Sequence, residues 1–353
     1  MRIIIASTIV PFVRGGGTAI VFDLTRAFQE RGHEVEQVLI PFHPSQETMT
    51  EQMLGLRLLD LEASADLLVA IRTPSYVVEH PNKVVWFIHH HRASFDLWPT
   101  GYRDLPLDRD GLQQRIHLFD ADNWHLRRAR RLFANSTVTA DRLRRFNGLD
   151  AEVLYPPLGD DSGFRCDSWG DYVFYPSRLV HIKRQVLLVE AMSQVQTDVR
   201  LVIAGNDDDH YRPTLDGIAA QLGVGSRVIF TGPVHGADKA ALISAARLLA
   251  LPSYSENFGN VVIEAMAAGR PVVVSQDVGL APVVEESQAG LVVNGEPETL
   301  AAAIARVIDD PSSAAAMGDR GRALVQQRYS WGVVAKQMEA LYASVIGAPG
   351  GRS

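Results

Sequence analysis

The sequence has a single cysteine, Cys166. One thiol excludes an internal disulfide and a cysteine-rich zinc site. No run of about 18 apolar residues occurs, which leaves no segment to span a bilayer as a helix. The opening MRIIIASTIVPFVRGGG has a short apolar run, no small-residue cleavage pattern, and glycines where a leader would continue. A secretion signal is therefore not expected, and the cytoplasm is the default address. Positive charge is also scarce: 34 Lys and Arg stand against 41 Asp and Glu, a net charge of −7. That balance argues against a nucleic-acid partner, because phosphate would repel the whole domain. Lysine is the rarest cation, at positions 83, 183, 239 and 336 only. What is plentiful is apolar: 46% of 353 residues are hydrophobic and 21% charged. This is the composition of a globular protein, too long for one core, which stops growing at about 250–300 residues.

Short β-branched runs alternate with amphipathic stretches. Strands are predicted at 2–6, 34–40, 66–71, 83–88, 131–134 and 152–155, and a helix at 19–30 after the glycine-rich turn 14–18. Pro156-Pro157 breaks the pattern, and 158–170, rich in Gly, Asp and Ser, reads as a linker. A second series follows, with strands at 172–175, 200–204, 227–230, 248–251, 271–274 and 291–293. Helices fit at 184–193, 213–222, 238–246, 260–268, 297–308 and 312–327, with a last one at about 331–346. No internal repeat is visible. The expected architecture is α/β, two doubly wound parallel-sheet domains, with ligands at the carboxyl ends of the strands and in the cleft between the domains.

The most informative segment is Ser255–Ser275, SENFGNVVIEAMAAGRPVVVS. Glu256 falls in the loop after a strand, Gly259 permits close backbone approach, Asn260 is placed to cap a helix, and Gly269 to end it. Glu264 lies one turn in. Alone, a Glu there does no more than complement the helix dipole. Two carboxylates flanking one helix start, whose free amides attract anions, suggest more. The segment resembles the E-x7-E donor-site signature of retaining GT-B glycosyltransferases of family 4. The resemblance extends to the RGGGTAIVFDLTRAFQERGHEVEQVLI stretch near the start, to Tyr175–Lys183 (YPSRLVHIK), and to LVIAG at 201–205 and VIFTGPV at 228–234.

The resemblance implies a GT-B fold of two Rossmann-like domains. An N-terminal acceptor-side domain would cover 1–157, with the C-terminal helix 331–353 packing back on it. A nucleotide-sugar donor domain would cover 158–330, with a hinge near 156–170. It also implies roles. Arg178 and Lys183 would neutralise the donor diphosphate, assisted by backbone amides of Phe258, Gly259, Asn260 and Val261. Glu256 would contact the transferred sugar at the reaction centre, and Glu264 the ribose hydroxyls. Gly232 and Val234 would belong to a loop facing the base. The family's glycine pair falls on Gly15 and Gly16, extended by Gly17, and Gly16 and Gly17 are placed with the diphosphate. A dinucleotide fingerprint fails here, because position 20 is Ile.

In the triplet His89-His90-His91, alternation puts His89 and His91 on one side. The family has one His near the transferred sugar after this strand. His89 matches that place best and His91 is the alternative. No carboxylate or cysteine stands at ligand spacing, and the family needs no metal, so neither metal nor cofactor is expected beyond a UDP- or GDP-linked sugar acting as substrate. The implied reaction is hexosyl transfer with retention to a glycan, lipid-linked or small-molecule acceptor, the leaving diphosphate assisting deprotonation of the acceptor. Arg92 would suit an anionic acceptor. Residues 92–145 hold 11 Arg against seven Asp, with Leu126–Arg131 read as part of a helix. This suggests peripheral contact with anionic lipid at the inner face of the plasma membrane. The alternatives are a nucleotide-sugar epimerase, a phosphorylase-like protein, and a nucleotide-sugar-binding protein without transferase activity. Lys239 and Lys336 lie outside any phosphate-loop context for a phosphorylase cofactor.

Overall fold

Runs such as Ile3-Ile4-Ile5 and Leu67-Leu68-Val69 carry no polar face. They are stable only as strands covered on both sides, and they lie buried at the centre of a parallel sheet. The computed structural model describes residues 1–12, 16–43, 48–98, 100, 106–159, 163–166 and 168–346. The chain divides into two compact units, Met1–Gly159 with Trp331–Ser353, and Asp160–Ser330.

The first unit contains β1 (Arg2–Ile9), α1 (Gly16–Glu30), β2 (Glu34–Pro41), α2 (Met49–Arg57), β3 (Leu67–Ala70), β4 (Lys83–Phe87), α3 (Arg109–Leu126), β5 (Arg131–Ala134), α4 (Thr137–Asn147) and β6 (Glu152–Val153). Its strands pair in parallel in the order β2-β1-β3-β4-β5-β6. The second unit contains β7 (Tyr172–Pro176), α5 (Gln185–Gln194), β8 (Arg200–Ala204), α6 (Arg212–Gln221), β9 (Val228–Phe230), α7 (Gly236–Ala245), β10 (Leu248–Leu251), α8 (Asn260–Ala267), β11 (Val272–Ser275), α9 (Ala281–Ser287), β12 (Gly290–Val293), α10 (Pro297–Asp309) and α11 (Pro311–Arg328). Its order is β12-β11-β10-β7-β8-β9, again parallel. Two doubly wound α/β sheets are thus present. The last helix, α12 (Trp331–Ile346), returns to the first unit, where Val334, Met338, Tyr342 and Val345 share a core with Leu24 and Phe28 of α1.

Four details differ from the sequence-based expectation. Helix α1 starts at Gly16, so Gly16 and Gly17 form its first turn rather than a turn before it; Gly15 lies outside the described residues. Leu126–Arg131 is not a helical stretch. Helix α3 ends at Leu126, Arg127 Nη2 donates to Asn147 O at 2.8 Å, and pairing with β4 claims Arg131 for β5. Arg92 is already engaged, its Nε 3.6 Å from Asp96 Oδ2. The stretch read as a linker is in part docked on the second unit: Arg165 N donates to Ser244 Oγ at 3.0 Å, Gly170 N to Ala245 O at 2.7 Å, and Arg270 Nη2 to Ser168 O at 2.7 Å. The Arg270 guanidinium also stacks 4.4 Å above the Trp169 ring, which fixes this segment by cation–π contact.

Candidate functional site

In the second sheet the strand order reverses between β7 and β10. The loops leaving two neighbouring strands there diverge to opposite faces, and the gap between them is where open α/β sheets bind ligands. The loop after β7 carries Arg178 and Lys183; the loop after β10 carries Glu256. The topology, not their separation in sequence, brings them together: Lys183 Nζ pairs with Glu256 Oε2.

Both backbones are pinned. The buried Tyr175 hydroxyl of β7 donates to Lys183 O, which folds the lysine's loop back on its own strand, and Tyr254 N donates to Ile182 O at 3.0 Å, which ties that loop to the one after β10. Burial holds that phenol well above its ordinary range, so it remains a donor. Glu256 N donates to Asp277 O at 3.1 Å and Glu256 O accepts from Gly279 N at 2.8 Å, which fastens the glutamate to the loop after β11. Gly205 lets the loop after β8 pass against Ser177, where a Cβ would lie 2.0 Å from Ser177 O. Arg178 is exposed, and among the described residues its guanidinium pairs with no carboxylate.

Asn260 does not cap α8. It is the first helical residue, and the cap is Gly259 at φ 98°. The chain must turn through the left-handed region here, with Val278 and Leu251 close by, and glycine alone meets both demands. Phe258 is buried beneath the turn, while the amides of Asn260 and Val261 open the helix, where no intrahelical acceptor exists for them. One turn on, Glu264 Oε1 accepts from Lys239 Nζ of α7 at 2.7 Å. Gly232, at φ 74°, and Val234 lie in the loop joining β9 to α7, at the same carboxyl edge of the sheet.

The first unit places Gly16 and Gly17 after β1 and His89 after β4. The histidine triplet alternates as anticipated: His90 is buried against Phe87 and Phe95, while His89 and His91 are half-buried. His89 Nδ1 lies 2.7 Å from His90 O, and a carbonyl only accepts, so the proton is on Nδ1 and Nε2 is left as an acceptor. Burial, with the charges of Arg92 and Arg72, pushes His89 down to about 4, so the ring is neutral at pH 7. His91 Nδ1 lies 2.8 Å from Ser94 Oγ. No group of three potential metal ligands occurs among the described residues.

Residues 167–324 match the family model of the glycosyl transferases group 1. That span covers the loop of Arg178 and Lys183, Lys239 and both glutamates. An uncharacterized glycosyltransferase of Methanocaldococcus jannaschii is 34% identical over 173 residues, 48% of this chain and 44% of that protein. A D-inositol 3-phosphate glycosyltransferase of Corynebacterium efficiens is 32% identical over 184 residues, 50% of this chain and 43% of that protein. The chain thus spans about half the length of the curated relatives it matches. Among solved structures, the sucrose-phosphate synthase of Thermosynechococcus elongatus superposes with a TM-score of 0.80 at 22% identity, covering 98% of this chain and 100% of that one. HepE of Anabaena, in complex with UDP and glucose, superposes with a TM-score of 0.71 at 20% identity, covering 97% and 99%. The fold is therefore that of the GT-B glycosyltransferases.

Sequence reasoning weighed Lys239 only as a phosphorylase-cofactor lysine and did not place it beside Glu264. Its partner is 25 residues away and meets it only because α7 and α8 lie side by side. The available signal was the rarity of lysine, which made each of the four worth placing.

Proposed function

We propose that the chain is a retaining glycosyltransferase. It moves a hexosyl group from a UDP- or GDP-linked sugar to a glycan, lipid-linked or small-molecule acceptor. One observation supports this best: within the span matching glycosyl transferases group 1, the two glutamates eight residues apart each face an ammonium at the carboxyl edge of the sheet. In this reading Arg178 and Lys183 take the diphosphate, together with the amides of Phe258, Gly259, Asn260 and Val261 and the glycines Gly16 and Gly17. Glu256 holds the transferred sugar, Glu264 the ribose, and the loop of Gly232 and Val234 the base. His89 serves the sugar as a neutral hydrogen-bond acceptor. The bond from the anomeric carbon to the diphosphate oxygen breaks with its electron pair on the diphosphate. The acceptor oxygen then bonds from the same face and yields its proton to that leaving group. Two cationic side chains stabilise the departing charge, and no metal is required.

The test is calorimetric titration with UDP, GDP, ADP, dTDP and CMP in the presence of EDTA. One nucleoside diphosphate is expected to bind clearly tighter than the rest, and Lys183→Ala to weaken it about ten-fold or more, the worth of one charge-assisted contact. Binding that needs added metal, or that Lys183→Ala leaves unchanged, overturns the assignment.

For the acceptor side we propose peripheral contact with anionic lipid at the inner face of the plasma membrane, through the arginine-rich 92–145 region. Helix α3 exposes Leu112, Ile116 (57%) and Trp124 (55%), with Arg128 stacked 3.8 Å above the Trp124 ring. Apolar side chains beside cations suit the interface between headgroup and acyl chain. No described helix is long and apolar enough to cross a membrane. Vesicles containing phosphatidylglycerol are expected to sediment the protein where pure phosphatidylcholine vesicles do not. The double variant Trp124→Ala, Arg128→Ala should lose most of that binding; equal sedimentation by both lipids removes the proposal.

A further inference from the structure

The chain has four lysines and thirty arginines, yet both glutamates of the 256–264 segment face a lysine. The choice has chemical content. An arginine fork takes a carboxylate bidentately and engages both of its oxygens in one plane. An ammonium is a compact charge with three donors, and it leaves acceptor positions on the carboxylate open.

At Glu264 this capacity can be counted. Lys239 Nζ donates to Oε1 at 2.7 Å and lies 2.6 Å from Oε2, yet buried Oε2 receives no aligned hydrogen bond. The carboxylate therefore keeps acceptor positions, and the ammonium keeps two N–H groups. The pair is partly shielded, with side-chain exposures of 26% for Lys239 and 15% for Glu264, so its hydrogen bonds are less weakened by water than surface ones. Lys239 also follows the Gly232–Val234 loop by one helical turn of α7, so one stretch of chain carries both the loop assigned to the base and this ammonium. A vicinal diol offers two O–H donors and two acceptor oxygens. A carboxylate alone reads the protons, and an ammonium alone reads the lone pairs.

We propose that Lys239 is a ribose-recognition residue. With Glu264 it forms a charge pair that reads the 2′,3′-diol of a nucleoside diphosphate, the carboxylate accepting hydroxyl protons and the ammonium donating to a hydroxyl oxygen. The inference rests on Glu264 being the ribose residue of the proposed donor site. It makes the pair a discriminator of ribo- from 2′-deoxyribonucleotides, and not merely a tie between α7 and α8.

The experiment is titration of wild type and Lys239→Met with UDP and dUDP, GDP and dGDP, and ADP and dADP, with thermal melts confirming folding. Wild type is expected to prefer its ribonucleotide over the 2′-deoxy twin by more than about ten-fold, and Lys239→Met to cut that ratio about five- to ten-fold. The ratio cancels any general effect of lost positive charge on the diphosphate. If Lys239→Met does not fold, Lys239→Gln carries the same comparison. Should the variant bind both twins equally weakened, or bind them tighter, Lys239 is a structural tie or a competitor and the inference fails while the donor site stands. Should wild type bind none of the six, the donor-site reading fails and takes the inference with it.

Discussion

Glu256→Gln is expected to have two effects of opposite sign. Sugar transfer should fall by about two to three orders of magnitude, the cost of removing one preorganised charge at a reaction centre. Binding of the bare nucleoside diphosphate should tighten by about two- to five-fold. The second effect follows from the Lys183–Glu256 pair. The ammonium proposed to receive the diphosphate is paired with a carboxylate, and a bound diphosphate must share or displace it. Glutamine is nearly isosteric, removes the repulsion, and frees the lysine; a partly exposed charge pair of this kind is worth at most about 1 kcal/mol. The loop itself should hold, because Glu256 is fastened through its backbone to Asp277 and Gly279, and Lys183 through Tyr175. Transfer is measured as sugar released from the donor, hydrolysis serving where no acceptor is in hand, and binding by titration. Wild-type turnover in the variant would remove Glu256 from the reaction centre. Unchanged or weaker nucleotide binding would show that Lys183 is not held in reserve by it.

This coupling was not legible in the sequence, although both residues were. The central strands β1, β3, β4, β10 and β11 fall on apolar runs, because a parallel strand buried on both faces has no polar position to disguise it, whereas β2 at a sheet edge keeps Glu34, Glu36 and Gln37. Glu256, Gly259 and Glu264 could be placed by spacing alone, since they belong to one loop and one helix. Lys183 and Glu256 are 73 residues apart, and their meeting is a property of the sheet order, which periodicity does not report. Helices α2, α3, α4 and α9 escaped for local reasons. Helix α9 has only seven residues, and α3 exposes Leu112, Ile116 and Trp124, so its apolar residues trace no single buried face. The cap of α8 was misplaced by one residue because Asn is the better N-cap by side chain. The backbone instead needed φ 98° at the position before, where only Gly259 relaxes.

A second large effect is expected in the first unit. Asp122 of α3 is buried and accepts a 2.5 Å hydrogen bond from the hydroxyl of Tyr76, itself fully buried. Burial raises the Asp122 carboxyl from 3.8 to about 7, because the hydrogen bond does not repay the loss of water around the charge. The folded state therefore keeps a proton that the unfolded chain gives up. The stability this confers is complete below about pH 4 and is lost as pH rises through about 7. Over that window the loss is of order 3–4 kcal/mol. Glu79 acts in the opposite sense: burial pushes that carboxyl up, but hydrogen bonds from His125 and Lys83 outweigh this and hold it at about 2, so its contribution is lost only as pH falls below the unfolded value of 4.5, and it is common to variant and wild type. Asp122→Asn keeps an acceptor for Tyr76 and never ionises. It should match wild type near pH 4 and gain steadily above, reaching about 10 °C in the melting of the first unit at pH 8. The check is a pair of melts at pH 5 and pH 8. A gap between variant and wild type that fails to widen with pH would mean that Asp122 is charged in the native state, with the Tyr76 hydroxyl sufficient to hold it so.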